Sequence, residues 1–224
     1  MKKIFLKKYR SLVRITSSAL VLAVFINMGA IAQEKETPSN PDVKAGEEAL
    51  LKGDFKSAVQ HLSEAVKTES SDPDVVYLLG YSQFQTQDYE NAISSFEKTI
   101  ALDESNADAY YYKGKIYNTL SNNQSSDLSP EEREAILGKA IDDYSAAIEI
   151  ANEDVKLYQN RGLAYRDLGI LKGTEGLDYY NKDVAEEAYG KAIKDFEKVL
   201  SYDSTRKDIQ TELKKATVYK DNLK

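Results

Sequence analysis

Residues 80–100 read GYSQFQTQDYENAISSFEKTI, and a second copy of the pattern, GEEALLKGDFKSAVQHLSEAV, occupies residues 46–66. Gly46/Gly80, Phe55/Tyr89, Ala58/Ala92 and Leu62/Phe96 all stand 34 residues apart. Moving outward from this pair, Gly80 to Gly114 is again 34, which gives KGKIY at Lys113–Tyr117, and the pattern returns as RGLAY at Arg161–Tyr165. Ala92-Ile93-x-x-Phe96 likewise returns as Ala140-Ile141-x-x-Tyr144 and Ala192-Ile193-x-x-Phe196, at spacings of 48 and 52. The excesses of 14 and 18 over the period fall inside a repeat, between its Gly-containing and its Ala-containing segment. A fixed period of this size marks an architecture of stacked units.

Within each segment the apolar residues recur three and four apart, as in Val76, Leu79 and then Tyr89, Ala92, Ile93, Phe96, Ile100. That is the spacing of one buried helix face, not of a strand. The small residues serve close packing. Gly46, Gly80, Gly114 and Gly162 on a first helix, with Ala58, Ala92, Ala140 and Ala192 on a second, let two axes approach closely while Phe55, Tyr89 and Phe96 fill the space beside them. Helix starts are written in Asp72-Pro73, in the capping box Ser129-Pro130-Glu131-Glu132 and in Asp183-x-x-Glu186.

These residues resemble the tetratricopeptide repeat: Leu79-Gly80, Tyr110…Gly114…Tyr117, Tyr158…Gly162…Tyr165 and the Ala-x-x-x-aromatic sets follow its pattern. Trp is absent and the closing Pro is missing, which leaves the angles between units unspecified. The resemblance implies an all-α fold, a right-handed superhelical solenoid of helix-turn-helix units spanning about 42–70, 73–104, 107–151 and 154–203. Residues 204–224 supply a capping helix, Thr205–Leu223, whose stripe Ile209, Leu213, Ala216, Tyr219 closes the last apolar face. The first insertion, Asn118–Pro130, is polar and reads as a solvated loop before a long helix from about Pro130 to Ile150. The second, Arg166–Asp183, has Gly169, Gly173 and Gly176 for bending, yet carries Leu168, Ile170, Leu171, Leu177, Tyr179 and Tyr180, which either fold onto the solenoid or meet a partner.

The chain has 224 residues, 30 Lys+Arg against 37 Asp+Glu, one His and no Cys. Disulfides, thiolate metal sites, a cysteine nucleophile and a lipid-modified N-terminal Cys are thereby excluded, and one His cannot build a multi-His metal site. A formal charge of −7 disfavours a nucleic-acid partner. The charge is uneven: residues 1–32 hold six cations and no acid, then an uncharged stretch with a wholly apolar Ala19–Ile26 and an Ala30-Ile31-Ala32 site before Gln33. This is the order of a secretory signal peptide cleaved after Ala32; retained, it would instead anchor the chain to a membrane. Residues 33–41 form a polar linker, and the 192 residues beyond Ala32 carry 24 basic against 37 acidic side chains, a formal −13. The expected location is the periplasm or the cell exterior.

No phosphate-loop, dinucleotide, nucleophile-elbow or calcium-loop spacing occurs, so no cofactor, metal or catalytic residue is expected. His61 has no orienting partner in sequence and reads as exposed; Asp142-Asp143 and Glu186-Glu187 read as solvated faces. What remains is the concave groove that the resemblance implies, lined by the first helix of each unit and suited to a protein or peptide ligand. Its expected lining is Tyr77, Tyr81 and Phe84, then Tyr111, Lys115 and Asn118, then Gln159, Leu163 and Arg166. Tyrosine offers stacking area and a hydroxyl at little entropic cost, which suits a peptide side chain or a sugar ring, although aromatics at helical spacing also serve as core. The basic clamp of cytosolic chaperone-tail binders is not reproduced, because Val43, Tyr77 and Tyr111 stand where its residues would fall. Three functions follow: an exported scaffold that docks another envelope protein, a glycan- or nutrient-binding component, and a membrane-anchored assembly factor if the leader is kept.

Overall fold

The computed structural model describes residues 40–69, 71–123 and 127–223, so the proposed leader and most of the linker lie outside the described residues. Among the described residues the secondary structure is entirely helical: α1 (Pro41–Lys52), α2 (Phe55–Thr68), α3 (Pro73–Gln85), α4 (Tyr89–Leu102), α5 (Ala107–Ser121), α6 (Pro130–Ile150), α7 (Val155–Gly173), α8 (Lys182–Tyr202) and α9 (Lys207–Asp221). Each helix packs on its neighbours in sequence. Each odd-numbered helix also meets the next odd-numbered one, whereas no two even-numbered helices come as close, so the odd helices line the inner side of a curved array.

The small residues set the spacing of each hairpin. A Cβ placed on Gly80 would come within 3.0 Å of the Phe96 ring, on Gly114 within 3.1 Å of Tyr144, and on Gly162 within 2.8 Å of Phe196. Ala58, Ala92, Ala140 and Ala192 are fully buried opposite them. The helix starts follow from local chemistry. Asp72 accepts from the Asp74 amide with Pro73 in the first turn, and Ser129 with Glu132 forms the reciprocal capping box expected. At α8 the cap is Asn181, which accepts from the Val184 amide, and Asp183 sits inside the first turn instead of capping it.

The first insertion follows its expectation in outline, a connection between Ser121 and Pro130 leading into the long helix α6, although α5 runs on to Ser121; the second is largely helix, which corrects the expectation of glycine bends there. Relative to α3 and α4, the first insertion lengthens α5 by two residues and α6 by seven; the second lengthens α7 by six and α8 by seven. Each leaves only five extra residues in the connecting turn. Gly169 and Gly173 do not bend the chain: they continue the contact stripe of Gly162, with a Cβ at Gly169 falling 2.6 Å from the Tyr189 ring. Within this insertion only Gly176 takes a positive φ, +80°. The added turns all stand at the rim where the inner helices end and the outer ones begin, and a 2.8 Å ion pair from Lys172 Nζ to Glu134 Oε2 ties the two extended units together there. Leu168 packs into the central core, while Ile170 and Leu177 stay exposed, so the apolar surface is divided between the two roles expected for it.

The last helix docks along the stripe expected of it. Ile209 and Ala216 are buried against α8, Leu213 is half-buried, and Tyr219 remains exposed but touches the Tyr189 ring at 5.9 Å. No helix among the described residues is long and apolar enough to cross a membrane.

Candidate functional site

The inner face between α3 and α5 is built from aromatic rings. Tyr77, Tyr81 and Phe84 lie one turn apart on α3 and are each half-buried. They converge on Tyr112 of α5, whose ring is 6.3 Å from Tyr77, 5.3 Å from Tyr81 and 5.2 Å from Phe84, and stacks on the core ring of Phe96 at 5.8 Å. Tyr112 is 6% exposed, and burial pushes its phenol well above the ordinary range, so it stays neutral and acts as a fixed hub. Its neighbour Tyr111, expected on the open surface of the groove, is also buried, at 9% exposure. Set edge-on to Tyr112 at 5.0 Å and facing Tyr144, Tyr111 forms floor and not an open stacking surface.

Cations lie over this floor. Lys156 of α7 places its Nζ 4.5 Å above the Tyr111 ring and is held by Asp108 at 3.1 Å and Asp154 at 3.4 Å. Burial opposes its charge, but those two carboxylates prevail and raise its pKa. Lys115 lies 5.5 Å from the Phe84 centroid and 6.0 Å from that of Tyr111; burial, then the nearby Lys156, push its pKa down.

The other expected lining residues do not continue the patch. Gln159 accepts a 2.9 Å hydrogen bond from Arg206, and Arg166 is paired with Asp167 at 2.5 Å and with Glu212 of α9. The docked last helix therefore occupies the inner face of the fourth unit, and Gln159 and Arg166 fasten it there. Leu163 is partly buried against the apolar cluster that α8 and α9 share. Asn118 turns toward the rim, where it lines a shallow cleft of about 550 Å³ with Gln87, Tyr89, Thr119 and Asn122. A second cleft of about 520 Å³ lies between Ile170, Gly173, Tyr189 and Tyr219 at the far end of the array.

The polar residues outside the groove depart in part from expectation. His61 does have a carboxylate beside it, Asp42 Oδ1 at 3.1 Å from Nδ1, on an outer surface where both side chains are more than two-fifths exposed. Asp143 is not solvated: its side chain is 11% exposed, with Oδ1 3.1 Å from Lys113 Nζ and Oδ2 without a hydrogen-bond partner. Burial raises its pKa to about 6 against the pull of Lys113. Asp195, at the equivalent place in the next unit, receives two 2.8 Å hydrogen bonds from Arg161. The repeat register held the signal, since Lys113/Arg161 and Asp143/Asp195 take the same positions beside Gly114/Gly162 and Ala140/Ala192. Glu186 and Glu187 are exposed, as expected. No group of three or more His, Asp or Glu side chains among the described residues could hold a metal ion.

Comparison with known proteins agrees with this architecture. A family model described as "TPR repeat" matches residues 81–120. Tetratricopeptide repeat protein 1 of Schizosaccharomyces pombe is 28% identical over 109 residues, which cover 47% of this chain and 10% of that protein. The chain thus spans about a tenth of the length of the curated relative it matches. Among solved structures, MamA 41-end from Desulfovibrio magneticus RS-1 superposes with a TM-score of 0.61 at 21% identity, covering 82% of this chain and 88% of that one. A crystal structure of MamA protein gives 0.51 at 22% identity, covering 80% and 90%. At these identities the likeness is one of fold.

Proposed function

We propose that this chain, a helical-repeat fold whose residues 81–120 match a family model described as "TPR repeat", is a non-enzymatic docking protein that holds a peptide segment of a partner in its inner groove, against the Tyr77, Tyr81 and Phe84 rings. The fold's general use is to present such concave surfaces to protein segments. The observation that carries the reading is the row of three half-exposed rings on α3 backed by the buried Tyr112. Large rings fixed by a packed neighbour lose little freedom on binding, which is what an anchoring site needs. The groove is short: with the fourth unit covered by α9, it extends from α1 to α7 and is centred between α3 and α5.

The reading includes export, supported by the basic-then-apolar order of residues 1–32 and the Ala30-Ile31-Ala32 site. It does not include nucleic acid, since the acidic balance opposes phosphate backbones. The test is a peptide array probed with the wild-type chain and with Tyr77→Ala/Tyr81→Ala, both checked for helicity by circular dichroism. The double variant is expected to lose the array signal; a folded variant that binds the same peptides as tightly overturns the groove. Glycan-array hits abolished by the same substitutions would move the reading to a carbohydrate ligand. Cell fractionation with N-terminal sequencing checks export: a mature chain beginning at Gln33 is expected, and Met1 on a membrane-bound species would contradict cleavage.

A further inference from the structure

Lys115 is out of keeping with its surroundings. The chain has more acids than bases, and the adjacent Lys156 is satisfied by two carboxylates. Lys115 has no ion-pair or hydrogen-bond partner for its ammonium among the described residues; its contacts there are the faces of Phe84 and Tyr111. It is half-buried, on the middle one of the five inner helices, directly beside the row of half-exposed rings. An ammonium that is partly desolvated and left without a counter-charge is in a costly state, and π faces offset that cost only in part. The equivalent places in the flanking units hold Tyr81 and Leu163, so the groove has one such charge here and not a basic stripe.

From this we infer that the groove selects peptides with an acidic side chain, Asp or Glu, next to an aromatic or aliphatic residue: the carboxylate meets Lys115 while its neighbour packs on Tyr77, Tyr81 and Phe84. The inference deepens, and rests on, the groove reading above. One ammonium matches a single carboxylate better than a doubly charged phosphate, which draws on several donors. The site sits mid-array, with groove lining on both sides, in Tyr81 and Phe84 of α3 and Lys156 of α7. A chain crossing it therefore offers a side chain, not its C-terminus.

The test uses the full chain and immobilised peptides that pair one Glu or Asp with a flanking Phe, Tyr or Leu. Each is also made with Gln or Asn in place of the acid, and each with both a free and an amidated C-terminus. The acidic peptides are expected to bind the wild type about tenfold more tightly than their amide twins, an advantage that weakens as salt is raised. Lys115→Gln should erase the advantage while still binding the amide twins, Lys115→Arg should keep it, and Tyr77→Ala/Tyr81→Ala should weaken both sets. Twins that bind the wild type equally overturn the inference, as does an acid preference that survives Lys115→Gln or that requires a free C-terminus. If the twins bind equally but the double Tyr variant loses them, the groove stands without its acid selectivity. If nothing on the array binds the wild type, both readings fall.

Discussion

Lowering the pH from 7 to about 4.5 should stabilise this fold through Asp143, the reverse of the usual carboxylate effect. The folded protein holds this acid at a pKa of about 6, against an ordinary 3.8, because burial penalises its charge more than Lys113 rewards it; the neighbouring Asp142 and Glu97 of α4 add further repulsion. A raised carboxylate pKa means that the fold prefers the protonated form. The destabilisation is thus fully present above about pH 6, and stability returns as pH falls through 6 toward 3.8. At about 1.4 kcal/mol per pKa unit the whole effect is about 3 kcal/mol, of which about 2 kcal/mol is recovered by pH 4.5. Urea unfolding followed by circular dichroism, on wild type and Asp143→Asn at matched pH values, isolates the effect, because the other carboxylates cancel in the difference. The wild type should gain about 2 kcal/mol relative to the variant between pH 7 and 4.5. Lys113→Met should move the window to higher pH, since it removes the one partner that favours the charge. A wild-type-minus-variant difference that stays flat across that range would refute the account of Asp143 as a carboxylate buried at a cost.

Further perturbations probe the packing and the end of the array. Gly162→Ala sets a Cβ 2.8 Å from the Phe196 ring and should lower the unfolding midpoint by overpacking worth about 1–3 kcal/mol, less roughly 1 kcal/mol regained in helix propensity. Gly138→Ala, whose Cβ meets nothing within 4 Å, should be stabilising in the same thermal melts. Tyr112→Ala removes the hub of the ring cluster and should cost about 3–5 kcal/mol in chemical denaturation, the range for losing a buried aromatic. Glu212→Ala with Gln159→Ala should speed hydrogen exchange throughout α9 while leaving α3 and α4 protected, because only the fastening of the last helix is lost.

The period of 34 made the hairpins legible, because Gly and Ala recurring at fixed places have a contact reason that their spacing alone supplies. The capping helix was legible for the same reason, through Ile209 and Ala216. Less was legible where a residue type served two purposes. Gly169 and Gly173 resembled bends, yet they stand seven and eleven residues after Gly162, which keeps them on one helical stripe. Tyr111 and Tyr112 are adjacent, and helical spacing alone does not tell floor from hub: both are buried, Tyr112 among the rings of Tyr77, Tyr81, Phe84 and Phe96 and Tyr111 against Tyr144. Gln159 and Arg166 lie on α7, expected to line the groove, but face the last helix. Their loss to α9 follows from tertiary pairing with Arg206 and Glu212, residues some 46–47 positions away. His61 and Asp42 are separated by 19 residues and meet only because α1 and α2 form a hairpin.

The lengthened helices carry a consequence for direction. Two extra residues in α5 and six in α7 raise one edge of the inner face by about 3 Å in the third unit and about 9 Å in the fourth, at 1.5 Å per residue, while the outer helices α6 and α8, each seven residues longer, rise about 10 Å behind them. The trough therefore has a step-shaped cross-section that steepens from one end to the other. A strand lying in it would find its two sides inequivalent and its two ends inequivalent, so that head-to-tail inversion presents a different relief at every position. A surface made of near-identical units acquires in this way a compass bearing that the repeats alone do not possess.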